Sequence, residues 1–212
     1  EAFKKQNSSV SFDIAAEGSS TAFTNLSAGT AEIGMSSREV KSDEITFAKT
    51  KGVYIKETPV AWDMIVVVVN KNNPITSLTK RQIAGIFTGA IKDWSEVGGT
   101  PGPISVYTRN TSSGTYKDWQ KMAMRDKDYA TSSQKLAGNE QIASEVANNA
   151  GGIGYVGLAY AKAKGTKTVA IDGIAPEVNN VKSYPFSRKT YFYTNGTPKD
   201  TIKAFIDFTA SA

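Results

Sequence analysis

The chain has no histidine and no cysteine. These absences remove a Ser-His-Asp or Cys-His nucleophile, a zinc site built on imidazole or thiolate, and any disulfide. Catalysis would have to come from carboxylate pairs, lysine, tyrosine or a metal held by oxygen. Long apolar runs are also missing. The longest, Met64 to Val69, is too short to cross a bilayer, and no charged, apolar, small-residue leader opens the chain. Calcium-loop, phosphate-loop and G-x-G-x-x-G motifs are absent, as are internal repeats and low-complexity tracts. The net charge of +5 favours anionic partners, but Lys and Arg are scattered and no nucleic-acid footprint is expected. A lack of cysteine fits an oxidising compartment.

What is present is enough apolar material for a sizeable core. With 212 residues, 40% of them hydrophobic, the chain could fold as one domain or as two modest lobes. Residues 1 to 7 read as the end of an amphipathic helix. Strands are expected at Val10 to Ala15, Ala31 to Met35, Val53 to Val60, Met64 to Val69, Ile104 to Tyr107, Ile153 to Val156, Val169 to Ile171 and Tyr184 to Thr194. Helices are expected after Gly18, from Leu78 to Gly89, through Trp119, around Ile142 and Val146, at Leu158 to Ala163, and from Thr201 to Phe208 with Ile202, Phe205 and Ile206 inward. Residues 125 to 139 read as loop. Strands alternating with helices predict an α/β fold with mostly parallel sheets and helices on both faces, and such sheets bind ligands at the carboxyl ends of their strands. The valine run reads as a strand buried on both faces of a parallel sheet.

Three hydroxyl-rich turns fall at such strand ends. In YTRNTSSGTYKDW, residues 107 to 119, Arg109 precedes Ser113, Gly114 and Thr115 at a helix start. The first amides of a helix lack intrahelical partners and carry partial positive charge, which suits an anion; Gly114 permits close approach and Arg109 offers a bidentate fork. The alternative is that Ser113 is only an N-cap. Gly18-Ser19-Ser20-Thr21 repeats the design, with a plain cap as its alternative, and Ser36-Ser37-Arg38 is a third hydroxyl turn or an exposed polar loop. Together they point to a small polar ligand held by hydroxyls and amides, with no catalytic residue among them. Trp94, Trp119 and the aromatic residues at 184 to 193 read as packing more readily than as carbohydrate or base platforms.

The segments AEGSSTAF, IGMSSREV, AWDMIVVVVNKNNP, LTKRQIAGIFTGAIKDWSEVGG, PISVYTRNTSSGTYKDW, GGIGYVGLAYA and YPFSRKTYFYT resemble the phosphate-binding proteins of bacterial high-affinity phosphate ABC transporters, over nearly the whole chain. The resemblance implies a two-lobed, Venus-flytrap periplasmic-binding-protein fold that captures inorganic phosphate without catalysis, cofactor or metal and delivers it to ABC permease membrane subunits. It implies a periplasmic or extracellular location, with anchoring through a lipidated N-terminus outside this chain as one form. Residues 1 to 62 and 191 to 212 would form the first lobe and 71 to 183 the second, with crossings at 63 to 70 and 184 to 190. Carried over by position, the phosphate ligands are Ser19 and Ser37 from the first lobe and Arg109, Ser113, Gly114 and Thr115 from the second, with Ser20, Thr21, Ser36 and Ser112 as their neighbours. The family's first N-terminal strand has no counterpart here, so a trimmed chain or a strand from another polypeptide is expected; otherwise the protein is a monomer.

Selection of phosphate over sulfate needs an acceptor for the proton that phosphate keeps near neutral pH. Some relatives place an aspartate where this chain has Ser37, and Asp63 is the nearest substitute: an acceptor or a strand-end cap. Competing readings are another tetrahedral oxyanion such as sulfate or molybdate, a phosphate-ester enzyme using Asp63 or Glu17 with a metal, and a sensory domain that has kept the fold and lost its ligand.

Overall fold

Sixteen consecutive residues, Ile55–Asn70, form one strand where the sequence pattern predicts two. The interruption at Ala61-Trp62-Asp63 changes burial and leaves the backbone extended: the residues up to Asp63 are exposed or half-buried, and every residue from Met64 to Asn70 is buried. The computed structural model describes residues 1 to 15 and 18 to 211. It divides into two units, Glu1–Ala61 with Lys189–Ala212, and Trp62–Arg188. The long strand carries the chain from the first unit into the second, and a strand over Ser187–Asn195 carries it back.

In chain order the helices are α1 (Ala2–Gln6), α2 (Ser19–Ala28), α3 (Ser42–Thr50), α4 (Lys80–Thr88), α5 (Gly114–Met124), α6 (Asn139–Asn148) and α7 (Asp200–Ala210). The strands are β1 (Gly34–Ser36), β2 (Ile55–Asn70), β3 (Ser77–Leu78), β4 (Ser105–Arg109), β5 (Gln134–Leu136), β6 (Gly152–Gly157), β7 (Thr166–Thr168), β8 (Ala170–Ile171) and β9 (Ser187–Asn195). The α/β class is as expected. In unit 2 the strand order is β2-β6-β4-β5, with β7 also on β2. Strand β4 runs parallel to β5 and β6, and β3 to β8, whereas β2 is antiparallel to both β6 and β7. The valine run therefore lies in a mixed sheet. Complete burial makes a strand continuously apolar whatever the direction of its neighbours, so direction could not be read from it.

Unit 2 has one continuous core. Trp119 is fully buried, stacked on Tyr155 at 4.7 Å between ring centroids and edge-on to Phe87 and Phe186 at 5.1 and 4.8 Å. Trp94 is buried as well and donates its indole N–H to the Gly151 carbonyl at 3.1 Å. Both tryptophans pack, as their sequence context suggested. Helix α4 starts on a reciprocal cap: Gln82 N donates to Thr79 Oγ1 at 3.1 Å and Thr79 N to Gln82 Oε1 at 2.8 Å. Helix α6 lies tight on β6, because a Cβ at Gly154 would come within 2.5 Å of Ile142 Cγ2.

Unit 1 pairs β1 with β9 antiparallel, Gly34 opposite Tyr193, and β9 neighbours β2. Its apolar contacts are smaller: Phe23, Leu26, Tyr191 and Tyr193 form one cluster, and the rings of Phe3, Phe12, Phe205 and Phe208 another. The strand expected over Val10 to Ala15 does not form. Residues 11 to 15 are irregular, Ile14 is 66% exposed, and Phe12 packs on Phe3 and Phe205. Alternation alone does not make a strand without an edge to pair with. Smaller departures follow from the same limit on pattern reading. Residues 134 to 136 of the supposed loop pair with β4 as β5, the helix expected from Leu158 is a 3-10 turn over Leu158–Tyr160, and in α7 Ile206 is buried while Ile202 and Phe205 are half-buried.

Candidate anion-binding site

In unit 2, strand β4 ends at Arg109 and α5 begins at Gly114. Ser113 stands at the N-cap position but its side chain makes no capping hydrogen bond, and no acidic residue occupies the first turn. The plain-cap alternative therefore fails here. The first-turn amides keep their partial positive charge and have neither a side-chain cap nor a carboxylate to offset it. Ser113 is buried, with its backbone N–H donating to Asn110 O at 3.1 Å. The neighbour Ser112 is used locally, donating to Asn110 Oδ1 at 2.9 Å.

Arg109 is held from several sides. Its backbone N–H donates to Tyr155 Oη at 3.2 Å, its Nε to Ala137 O at 3.2 Å, and its Nη1 approaches Asn139 Oδ1 at 3.5 Å. Burial, above all, and the like charge of Arg188 lower the guanidinium's pKa, while Tyr155 works the other way. A bound anion would relieve that strain on the charged form. The tyrosine behind it is the middle of a chain. Tyr129 donates to Tyr116 O at 2.7 Å, so the 3.2 Å contact between Tyr129 and Tyr155 uses the Tyr155 proton. Strand end and helix start are thereby tied together through hydroxyls. Burial pushes the Tyr155 hydroxyl up to about 12, so it stays neutral near pH 7.

Asp63 is not a strand-end cap, because it lies inside β2. Its Oδ2 accepts from Arg188 Nε at 3.2 Å and Nη2 at 2.9 Å. The same guanidinium donates through Nη1 to Asp118 Oδ2 and through Nη2 to Thr115 Oγ1 at 3.2 Å. Sequence reasoning missed Arg188 and Asp118. The available signal was a phase slip in YPFSRKTYFY: the buried aromatic residues are 184 and 186, then 191 and 193, and Arg188 falls in the gap.

In unit 1 the turn before α2 needs its glycine, since Gly18 is the N-cap at φ 121. Ser19 is buried and its Oγ accepts from Ser37 N at 3.2 Å and lies 3.4 Å from Ser37 Oγ. Ser19 and Ser37 are thus brought together by the fold. Ser36 and Ser20 are engaged elsewhere: Ser36 Oγ donates to Arg38 O at 2.7 Å, and Ser20 Oγ accepts from Arg38 Nη2 at 3.1 Å. Thr21 sits in the first turn of α2. Glu17, considered with Asp63 for a metal, lies outside the described residues.

The family model of the PBP superfamily domain matches residues 1 to 212. Phosphate-binding protein PstS of Pseudomonas aeruginosa is 33% identical over 95% of this chain and 69% of its own length. The chain belongs to the phosphate-binding protein family of the PBP superfamily. Phosphate-binding protein PstS of Bacillus subtilis is 29% identical over 100% of this chain and 69% of its own. Among solved structures, a phosphate ABC transporter substrate-binding protein with bound phosphate from Clostridium perfringens is 36% identical, with a TM-score of 0.86, covering 98% of this chain and 84% of that one. The family match spans both hydroxyl-bearing units, Ser19 and Ser37 in one and Arg109 to Thr115 in the other.

Proposed function

We propose that this protein captures inorganic phosphate outside the cytoplasm and hands it to the permease subunits of an ABC importer, without catalysing a reaction. The observation that carries the reading is the uncapped start of α5 beside Arg109, in a chain 36% identical to a phosphate-bound relative. The proposed ligands are Arg109 as charge and fork, Ser113 and Thr115 as hydroxyl donors, the Gly114 amide, and the hydroxyls of Ser19 and Ser37. Asp63 is the proposed acceptor of the phosphate proton. A sulfate ion has no proton to offer it and would leave the free carboxylate oxygen facing a second anion without a hydrogen bond between them. Retention near the cell surface by a lipid anchor fits the same role.

Calorimetry on the full-length protein with phosphate, sulfate and molybdate tests this. The expected result is micromolar or tighter binding of phosphate alone, and admission of sulfate by Asp63→Asn, whose amide can donate where the carboxylate could only accept. Tighter binding of sulfate or molybdate than of phosphate by the wild type, or turnover of a phosphate ester, would overturn the reading.

A further inference from the structure

Arg188 has no ligand role in the proposed site, yet its guanidinium is shared among three side chains. Arg188 is the last residue of unit 2, and only 11% of its side chain is exposed. Its three donor nitrogens reach three partners: Asp63 Oδ2, Asp118 Oδ2 and Thr115 Oγ1. With two carboxylates against one guanidinium, the group has no positive charge left over. It is not built as an anion receptor.

Donor accounting shows what it does. Thr115 Oγ1 accepts from Arg188, so the hydroxyl's own proton points elsewhere, and it does so at the start of α5. Both bonds to Asp63 land on Oδ2. Oδ1 has no hydrogen-bond partner among the described residues, and the side chain is 28% exposed. One rigid fork therefore fixes a hydroxyl with a donor to give and a carboxylate with an oxygen to receive.

We infer that Arg188 is a specificity-determining positioning residue, which sets Thr115 as donor and Asp63 as acceptor in the spacing that a tetrahedral oxyanion carrying one proton requires. The inference rests on the proposed phosphate site and adds where its selectivity is set. A fully deprotonated oxyanion can use Thr115 but meets Asp63 as a fixed like charge. Lysine at 188 keeps the cation and loses the planar fork, so the carboxylate and the hydroxyl are no longer held in register.

The test is calorimetry of phosphate and sulfate on full-length wild type and Arg188→Lys across neutral pH, with Arg109→Met as the control for the site itself. In Arg188→Lys the phosphate-to-sulfate affinity ratio should fall roughly tenfold or more, while phosphate binding persists and Arg109→Met weakens it by about a hundredfold. Equal weakening of both anions, which a merely structural role would give, overturns the inference, as does an unchanged ratio. Wild type that binds no phosphate brings down the proposed function and this inference with it, and that arm reads separately from the ratio. A crystal structure of the wild type with phosphate gives a second readout that needs no folded variant. Asp63 Oδ1 within hydrogen-bond distance of a phosphate oxygen, with the Arg188 fork intact, supports the assignment; Arg188 turned onto the phosphate itself overturns it.

Discussion

Unit 2 and unit 1 carry hydroxyl turns of similar design on cores of different size. In unit 2 the turn stands on a continuous core of about a full domain's kind, and its strand end and helix start are tied by the Tyr155–Tyr129–Tyr116 chain and by Arg188. In unit 1 the turn rests on a four-residue cluster, and Ser19 and Ser37 are joined chiefly to each other. The first arrangement is preorganised before any ligand arrives. The second spends its hydroxyls on contacts that an anion can replace. On the proposed reading, binding energy should accordingly be concentrated in the ligands of unit 2.

The largest expected effect concerns the frameworks. Trp119→Ala removes a fully buried indole from the middle of three aromatic rings and should cost about 4 kcal/mol of stability. Phe23→Ala removes a ring from the smaller cluster and should cost about 3 kcal/mol, the low end for a buried ring. Urea denaturation of both variants compares them. Equal losses would mean that unit 1 is packed as firmly as unit 2, and the contrast would disappear.

Next come the proposed ligands. Arg109→Met removes the charge beside the uncapped helix start and should weaken phosphate binding by about a hundredfold, or ~3 kcal/mol. Ser37→Ala removes one hydroxyl that already has a partner in Ser19 and should weaken it by about threefold to fivefold, or ~1 kcal/mol. Calorimetry orders the two. A larger loss for Ser37→Ala than for Arg109→Met would place the binding energy in the wrong unit for this account.

Much of this was legible before any coordinates. The helix of α4 ending at Gly89, the buried valine run, and the strand-turn-helix around Arg109 all follow from period and turn chemistry, because each is decided within a few residues of itself. Three things were not. The direction of β2 depends on partners nearly a hundred residues away in sequence, β6 and β7. The failure of Val10 to Ala15 to form a strand depends on the lack of a paired edge among the described residues. Arg188 looked like one polar residue in an aromatic strand, and only the return of the chain beside Asp63 and α5 gives it three partners. Asp63 likewise changed from a possible cap to a clamped carboxylate for a reason that no local pattern carries.

The smallest expected effect sharpens what holds unit 1. Its Ser37 turn is anchored by Arg38, whose Nη1 and Nη2 donate to Glu44 Oε2 and Oε1 at 2.9 and 2.7 Å and whose guanidinium lies 5.1 Å from the Phe23 ring centroid. Burial works against the Glu44 charge, but the Arg38 hydrogen bonds, the Lys41 amide and the attraction of both cations together hold its carboxyl below the ordinary 4.5. A carboxyl with a depressed folded pKa contributes stability that is complete above the unfolded value and is lost as pH falls through the folded one. Glu44→Gln should therefore melt below wild type at pH 7, by a gap that stays level down to about pH 5 and closes as the solution is taken below the ordinary carboxylate range. Melting curves of the two proteins over that range measure the gap. A difference independent of pH would assign the loss to packing and remove the ion pair as the anchor of the Ser37 turn.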